Sequence, residues 1–417
     1  MTPSGGRYDA IVLGVGGVGS AATYHLARRG VDVLGIERFD VPHGRGSSHG
    51  RTRLLQRLLD ADPATMALAD RAHEGWRALE AETGADLLAE TGSLAVAVGG
   101  DEPVTSARRA CDRHDLAYDD LTGADLAERF PGYDFPAEAE ALYQPDGAVV
   151  SSERGVVAHV RAALEAGATV RARERVVDWS TAAEGVRVDT DRDTYRADRL
   201  VVTAGAWAGR TVDALSDVLE PCRHATAWFA PSPGRIAGDR SGETPETAAD
   251  GGETDDGAAG EAPADGVDEP PTDDGRLPAD DGRLPPFVAT VDGEHYYGVP
   301  GRSLPGMKFG RGDFRPTEPD ALSEPTQADE RPLREFAREF VPGAAGSTLR
   351  LDTGLVTNSP DGRFVLDTLS DERVAVAAGL SGRGYKFAPA LGEVLADLAL
   401  DGETDADVSA YALDRFD

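Results

Sequence analysis

The run Ala10-Ile11-Val12-Leu13-Gly14-Val15-Gly16-Gly17-Val18-Gly19 decides the fold. Four apolar residues that stop abruptly at glycine read as a short buried strand. Val18, Ala22 and Leu26 then share one face, which predicts a helix over Val18 to Arg29. Gly14, Gly16 and Gly19 stand at GxGxxG spacing between the two elements. The first glycine allows a tight turn, the second lets backbone approach a pyrophosphate, and the third lets helix and strand pack closely. The helix N-terminus adds free N–H groups and a partial positive charge. A second strand, Val31 to Ile36, ends at Glu37, where a carboxylate suits ribose hydroxyls and repels a 2′-phosphate. Strand, glycines, helix, strand and acid in this order predict a dinucleotide site and disfavour NADP.

Working outward, Ala64 to Glu82 reads as a long amphipathic helix. Arg199 to Val202 and Val374 to Ala377 read as further buried strands. Alternating units of this kind predict an α/β fold with a parallel, doubly wound sheet. A second glycine-rich loop, Ala378 to Phe387, follows the last of these strands and leads into a helix from about Pro389 to Leu400. That helix end could stabilise negative charge on a reduced isoalloxazine ring. An NAD domain is usually continuous, so a cofactor loop near the C-terminus favours FAD.

Composition excludes several functions. The chain has 417 residues, 42 basic and 74 acidic, for a net charge of −32. Such an excess opposes binding to nucleic acid or to an anionic membrane. No apolar run is long enough to span a bilayer, and Met1 to Arg7 lacks a signal-peptide core. Two cysteines, Cys111 and Cys222, cannot build a disulfide framework or a four-thiolate metal site. A soluble cytoplasmic protein without a metal is expected. Lysine occurs only at Lys308 and Lys386, so the other 40 of the 42 basic residues are arginine. An acidic, nearly lysine-free surface resembles that of proteins from extreme halophiles. Residues 231–286 carry 15 acidic residues and 4 arginines, a net of −11, with few large apolar side chains. They contain a tandem repeat, Asp273 to Pro278 and Asp280 to Pro285, and read as a disordered surface insert.

The glycine fingerprint is accompanied by Gly46-Ser47-Ser48-His49-Gly50-Arg51-Thr52-Arg53, Gln144-Pro145-Asp146-Gly147, Glu174-Arg175-Val176 and Ala204-Gly205-Ala206-Trp207. Tyr296-Tyr297-Gly298, Lys308-Phe309-Gly310 and Gly382-Arg383-Gly384-Tyr385-Lys386-Phe387 follow. Together these motifs resemble the monomeric sarcosine oxidase and N-methyltryptophan oxidase branch of the FAD-dependent amino-acid oxidases, over the whole chain except the insert. The resemblance implies an FAD domain from residues 1–88, 150–220 and 355–417. It implies an antiparallel-sheet substrate domain from residues 89–149 and 221–354. It also implies oxidation of a secondary or cyclic amine to an imine, with dioxygen as acceptor and hydrogen peroxide as product. Arg53 and Lys386 match the positions that bind the substrate carboxylate, a pairing that guanidinium chemistry suits. Lys308 matches a lysine by flavin N5 that would favour electron transfer to oxygen by its positive charge. Tyr297 matches an active-site tyrosine. Ser48, His49, Val176, Gly205, Trp207, Gly354, Gly382 and Gly384 fall in motifs beside the cofactor. The two surviving lysines thus coincide with two positions that face the flavin.

Three departures stand out against this resemblance. Gly354 occupies the position of the cysteine that attaches FAD covalently, so noncovalent FAD is expected. Gly312 replaces an active-site histidine, which puts sarcosine itself in doubt. Gln56 replaces a second arginine, with Arg57 one step on. Three rival readings stay open. One is a dehydrogenase of the same fold passing electrons to a quinone or carrier. Another is a noncatalytic flavoprotein recruiting a partner through its acidic insert. The third is an NAD-dependent dehydrogenase.

Overall fold

The computed structural model describes residues 5–56, 63–100, 102–232, 284–302, 304–369 and 371–416. Arg7–Leu13 forms the first strand, and its side chains alternate between two cores. Ala10 and Val12 face one cluster, Ile11 and Leu13 the other, as the two-residue period of a strand covered on both faces requires. This strand pairs in parallel with Val33–Ile36 on one side and with Thr194–Val202 on the other. Thr169–Arg171 and Val374–Ala378 extend the parallel core at its two ends. The sheet has eight strands and is not wholly parallel. The hairpin Val176–Ala182 and Gly185–Thr190, and the strand Val365–Thr368, join it antiparallel. Tight turns such as Ala182 to Gly185 leave no room for the crossover that a parallel neighbour needs.

The helices Gly17–Arg28, Pro63–Thr83, Ser152–Glu165 and Ala388–Asp401 cover one face of this sheet. Gly17–Arg28 and Ala388–Asp401 meet at Gly392, where an added Cβ would lie 2.5 Å from the Ala21 Cβ. The second sheet has nine strands and is antiparallel except where Ser93–Val98 runs parallel to Phe287–Val291. Its core is aromatic: Phe336 and Phe340 of the helix Gln327–Phe340 pack with Tyr133, Phe135, Phe287 and Phe309. Thr348–Asn358 belongs to this sheet over its full length, four residues past the boundary at 354. A small third sheet joins Thr52–Leu55 and Leu88–Glu90 to Ala148–Ser151.

The acidic insert ends earlier than its composition implies. Leu284 is fully buried in the aromatic core, and the Tyr133 hydroxyl donates to the Pro285 carbonyl. The Pro286 carbonyl accepts the Leu94 N–H at 2.9 Å. One apolar side chain with a matching pocket outweighs the composition of its neighbours. Residues 233–283 lie outside the described residues, as do Arg57 and the first copy of the tandem repeat.

The Gly392 contact gives a test of helix packing. Gly392→Leu is expected to lower unfolding free energy by about 1–3 kcal/mol through overpacking. Chemical denaturation measures this, and an unchanged midpoint would contradict the packing described.

Candidate active site

A cavity of about 970 Å³ is lined by residues from both large sheets and from the small one. That is the upper end of the ~300–1,000 Å³ usual for ligand pockets. One end is the glycine turn. Gly14 has φ +93°, and a Cβ there would lie 2.6 Å from the Thr203 carbonyl oxygen. At Gly19 a Cβ would lie 1.8 Å from the Gly14 carbonyl oxygen. Both are demanded by protein packing, and Gly19 does not line the cavity. Gly16 differs, because a Cβ there would meet only Ser48 Oγ, at 3.5 Å. Its open side faces the cavity, which is what a ligand lying against backbone needs. Glu37 is buried, with Oε2 accepting the Val15 N–H and Oε1 the Phe39 N–H, both at 2.9 Å. Its carboxylate therefore braces the glycine turn as well as lining the cavity. These features fit a dinucleotide.

Val176, Gly205 and Trp207 line the same region. Gly205 has φ +54°. The Trp207 indole N–H donates to Asp320 at 3.0 Å, and Asp320 also pairs with Arg38 and Arg210. Ser48 Oγ accepts the Gly17 N–H at 2.9 Å. In the C-terminal loop Gly382 has φ +73°, and a Cβ at Gly384 would lie 2.5 Å from Leu380. The loop enters its helix through a short 3₁₀ turn, Gly384–Phe387, which carries Lys386.

Arg53, Lys308 and Lys386 also line the cavity. Lys308 is 2 % exposed and its ammonium donates to the carbonyls of Gly50 and Thr52. Burial pulls its pKa well below the usual lysine value, and Arg53 adds to this while Glu153 and Asp352 oppose it. Burial thus disfavours the charged form of Lys308. Lys386 is 7 % exposed, and burial with the Arg383 charge lowers its pKa to about 7. Trp76 holds the backbone at this point, its indole N–H donating to the Lys386 carbonyl at 2.9 Å. Arg53 donates to the carbonyls of Ser47, His49 and Thr52 and lies over the Tyr385 ring. A guanidinium has five N–H donors, so two stay without an acceptor among the described residues.

His49 and Gly354 are locked together. His49 Nδ1 donates to the Gly46 carbonyl at 2.7 Å, and a Cβ on Gly354 would lie 2.1 Å from His49 Cε1. The imidazole occupies the space that any side chain at 354 would need. Burial and the Arg53 charge lower the His49 pKa, which favours the neutral ring. Tyr297 also lines the cavity, and its hydroxyl lies 2.9 Å from His224 Nε2.

His224 and Tyr385 escaped the sequence reading as functional residues. His224 sits in an ordinary strand pattern with no motif around it. Tyr385 was visible as part of a motif but not as the ring between Arg53 and Trp76, on which it stacks at 5.5 Å.

The contrast between glycines is testable. Gly16→Ala is expected to leave apoprotein stability within about 0.5 kcal/mol. Its FAD affinity should fall at least about tenfold, as an intruding methyl displaces the ligand. Flavin fluorescence titration measures this, and unchanged affinity would place the cofactor away from Gly16.

The chain matches the family model described as FAD dependent oxidoreductase over residues 9–254 and 267–398. It is 31% identical over 417 residues to monomeric sarcosine oxidase of Bacillus sp. (strain B-0618), covering 98% of this chain and 96% of that one. It is 31% identical over 416 residues to N-methyl-L-tryptophan oxidase of Yersinia pestis (strain Pestoides F), covering 98% and 99%. Among solved structures, NikD, an amino acid oxidase of nikkomycin biosynthesis, superposes with a TM-score of 0.78 at 25% identity over 97% of both chains. L-proline dehydrogenase from P. horikoshii shares the fold, with a TM-score of 0.78 at 21% identity over 99% and 98%. With this coverage and a cavity that fits a dinucleotide, the chain belongs to the FAD-dependent oxidoreductase family.

Proposed function

We propose that this protein is an FAD-dependent oxidase of an amino acid bearing a secondary amine. The substrate class is sarcosine, another N-methyl amino acid or a cyclic imino acid, and the products are an imine and hydrogen peroxide. The observation that carries this reading is the convergence of Arg53, Lys308 and Lys386 on one cavity beside a dinucleotide cradle. Relatives named as sarcosine and N-methyl-L-tryptophan oxidases support it. FAD, which the glycine turn with Gly14 and Gly16 and the Glu37 carboxylate would hold, would supply a hydride acceptor for the carbon next to nitrogen and an electron donor to dioxygen.

The chain's own residues supply the rest. The free N–H groups of Arg53, with Lys386, hold the substrate carboxylate and fix the amine's position. A bound carboxylate favours the charged forms of Lys386 and Lys308, whose burial otherwise opposes them. Lys308 then places a cation where negative charge develops on oxygen. Gly354 and the His49 ring against it exclude a cysteine link at that position. Cys111 and Cys222 are buried free thiols outside the cavity lining, which supports noncovalent FAD. Gly312, without a side chain, lines the cavity where the resemblance implies a histidine, so this part of the pocket is reshaped.

Lys308→Met is expected to slow reoxidation of the reduced enzyme by dioxygen at least about tenfold, as loss of one electrostatic stabiliser does. Stopped-flow mixing with oxygenated buffer measures this. An unchanged rate would remove Lys308 from the oxygen reaction, and peroxide well below one per turnover would indicate a dehydrogenase.

The lowered pKa of Lys386 sets a pH dependence. The side chain is cationic below about 7 and neutral above, so affinity for an amine-free carboxylate such as furan-2-carboxylate should fall as pH rises through that value. Lys386→Met should flatten the profile. A profile that is level in the wild type would contradict the carboxylate role.

A further inference from the structure

The histidine missing at Gly312 has a counterpart on another strand. His224 lies on Glu220–Phe229, directly across the antiparallel pair from Gly354. Its Nε2 meets the Tyr297 hydroxyl at 2.9 Å, and Phe314 flanks the ring at a centroid distance of 5.1 Å. Its Nδ1 is buried and has no hydrogen-bond partner among the described residues. His224 and Tyr297 line the same cavity as Arg53 and Lys308.

The direction of the hydrogen bond between them follows from acid–base strength. Of the two donors available, the phenol is the stronger acid. Of the two acceptors, the imidazole nitrogen is much the stronger base. Tyr297 therefore donates its O–H to Nε2, and the imidazole proton sits on Nδ1. With that proton engaged, the phenol oxygen has only lone pairs to offer a ligand.

A role for His224 as the base that deprotonates substrate fails on magnitude. Burial, then Arg53, Lys308, His49 and Arg223, hold its pKa at about 3. A base this weak is poorly suited to take a proton from an alkylammonium, which titrates near ~10 in water. Tyr297 is no better placed, because burial raises its pKa to about 12 and keeps it a neutral phenol.

We infer that His224 is a positioning residue that makes the Tyr297 oxygen a hydrogen-bond acceptor for the substrate's amine N–H. The inference rests on the amino-acid oxidase reading and sharpens it. The site selects carboxylates whose nitrogen retains a hydrogen, as in primary and secondary amines. A tertiary amine forfeits the contact. Positive charge developing on nitrogen as the carbon–nitrogen bond is oxidised strengthens the N–H as a donor, so the contact is worth more in the transition state.

Two isosteric acids test this in the holoenzyme. Pyrrole-2-carboxylate carries a ring N–H and furan-2-carboxylate has oxygen in its place. Their dissociation constants are read from perturbation of the flavin absorption. The wild type is expected to bind the pyrrole acid about tenfold tighter, the value of one hydrogen bond. His224→Leu and Tyr297→Phe should each reduce that ratio below about twofold. His224→Gln, which keeps an acceptor for the phenol proton, should retain the preference. A wild-type ratio near one, or a preference that survives either His224→Leu or Tyr297→Phe, overturns the inference and leaves the amino-acid reading standing. Failure of the wild type to bind either acid overturns that reading and this inference with it.

Discussion

The site depends on the burial of positive charge. Lys308 and Lys386 are nearly inaccessible, and both share a cavity with Arg53. A buried cation without compensation is strongly unfavourable, and the protein supplies only part of it. Backbone carbonyls of Ser47, His49, Gly50 and Thr52 accept from Arg53 and Lys308, and the carboxylates of Glu153 and Asp352 act at longer range. No carboxylate of the described residues pairs directly with any of the three. A bound anion, such as an amino-acid carboxylate, would supply further compensation and favour the charged lysines. In a chain with 40 arginines and two lysines, both lysines line this cavity.

The fold meets this constraint by ending several elements at one place. The Ser47 to Arg53 segment leaves the dinucleotide domain and returns as the strand Thr52–Leu55, which pairs with Ala148–Ser151. Glu153 secures the turn by accepting the Gly50 and Arg51 N–H groups, both at 2.8 Å. Met307–Arg311 presents Lys308 from the second sheet, with Glu294–Pro300 beside it presenting Tyr297. Glu220–Phe229 and Thr348–Asn358 bring His224 opposite Gly354, against which His49 packs. Glycine at 354 is what allows the imidazole to enter.

Much of this was legible from local pattern. The glycine fingerprint, its flanking strand and helix, and Glu37 are contiguous features, and hydrophobic period fixes them. Arg53, Lys308, Lys386 and Tyr297 could be named because they fall in motifs. What stayed illegible depends on contacts between distant segments. The antiparallel strands of the first sheet follow from turn lengths that composition does not reveal. Leu284 looked like part of an acidic insert because only its pocket near Gly132 shows otherwise. His224 had no local signal, since its partner Tyr297 lies 73 residues away. The lowered pKa of Lys386 likewise arises from burial, which a sequence states only indirectly.

The function proposed for this cavity is oxidation of an amino acid at a carbon bonded to nitrogen. Anaerobic titration of the purified holoprotein with N-methyl and cyclic amino acids tests it most directly. At least one of them is expected to bleach the visible flavin band fully, with admission of air restoring the band and yielding one equivalent of hydrogen peroxide. A flavin that dithionite reduces but that no amino acid in the panel bleaches would contradict it.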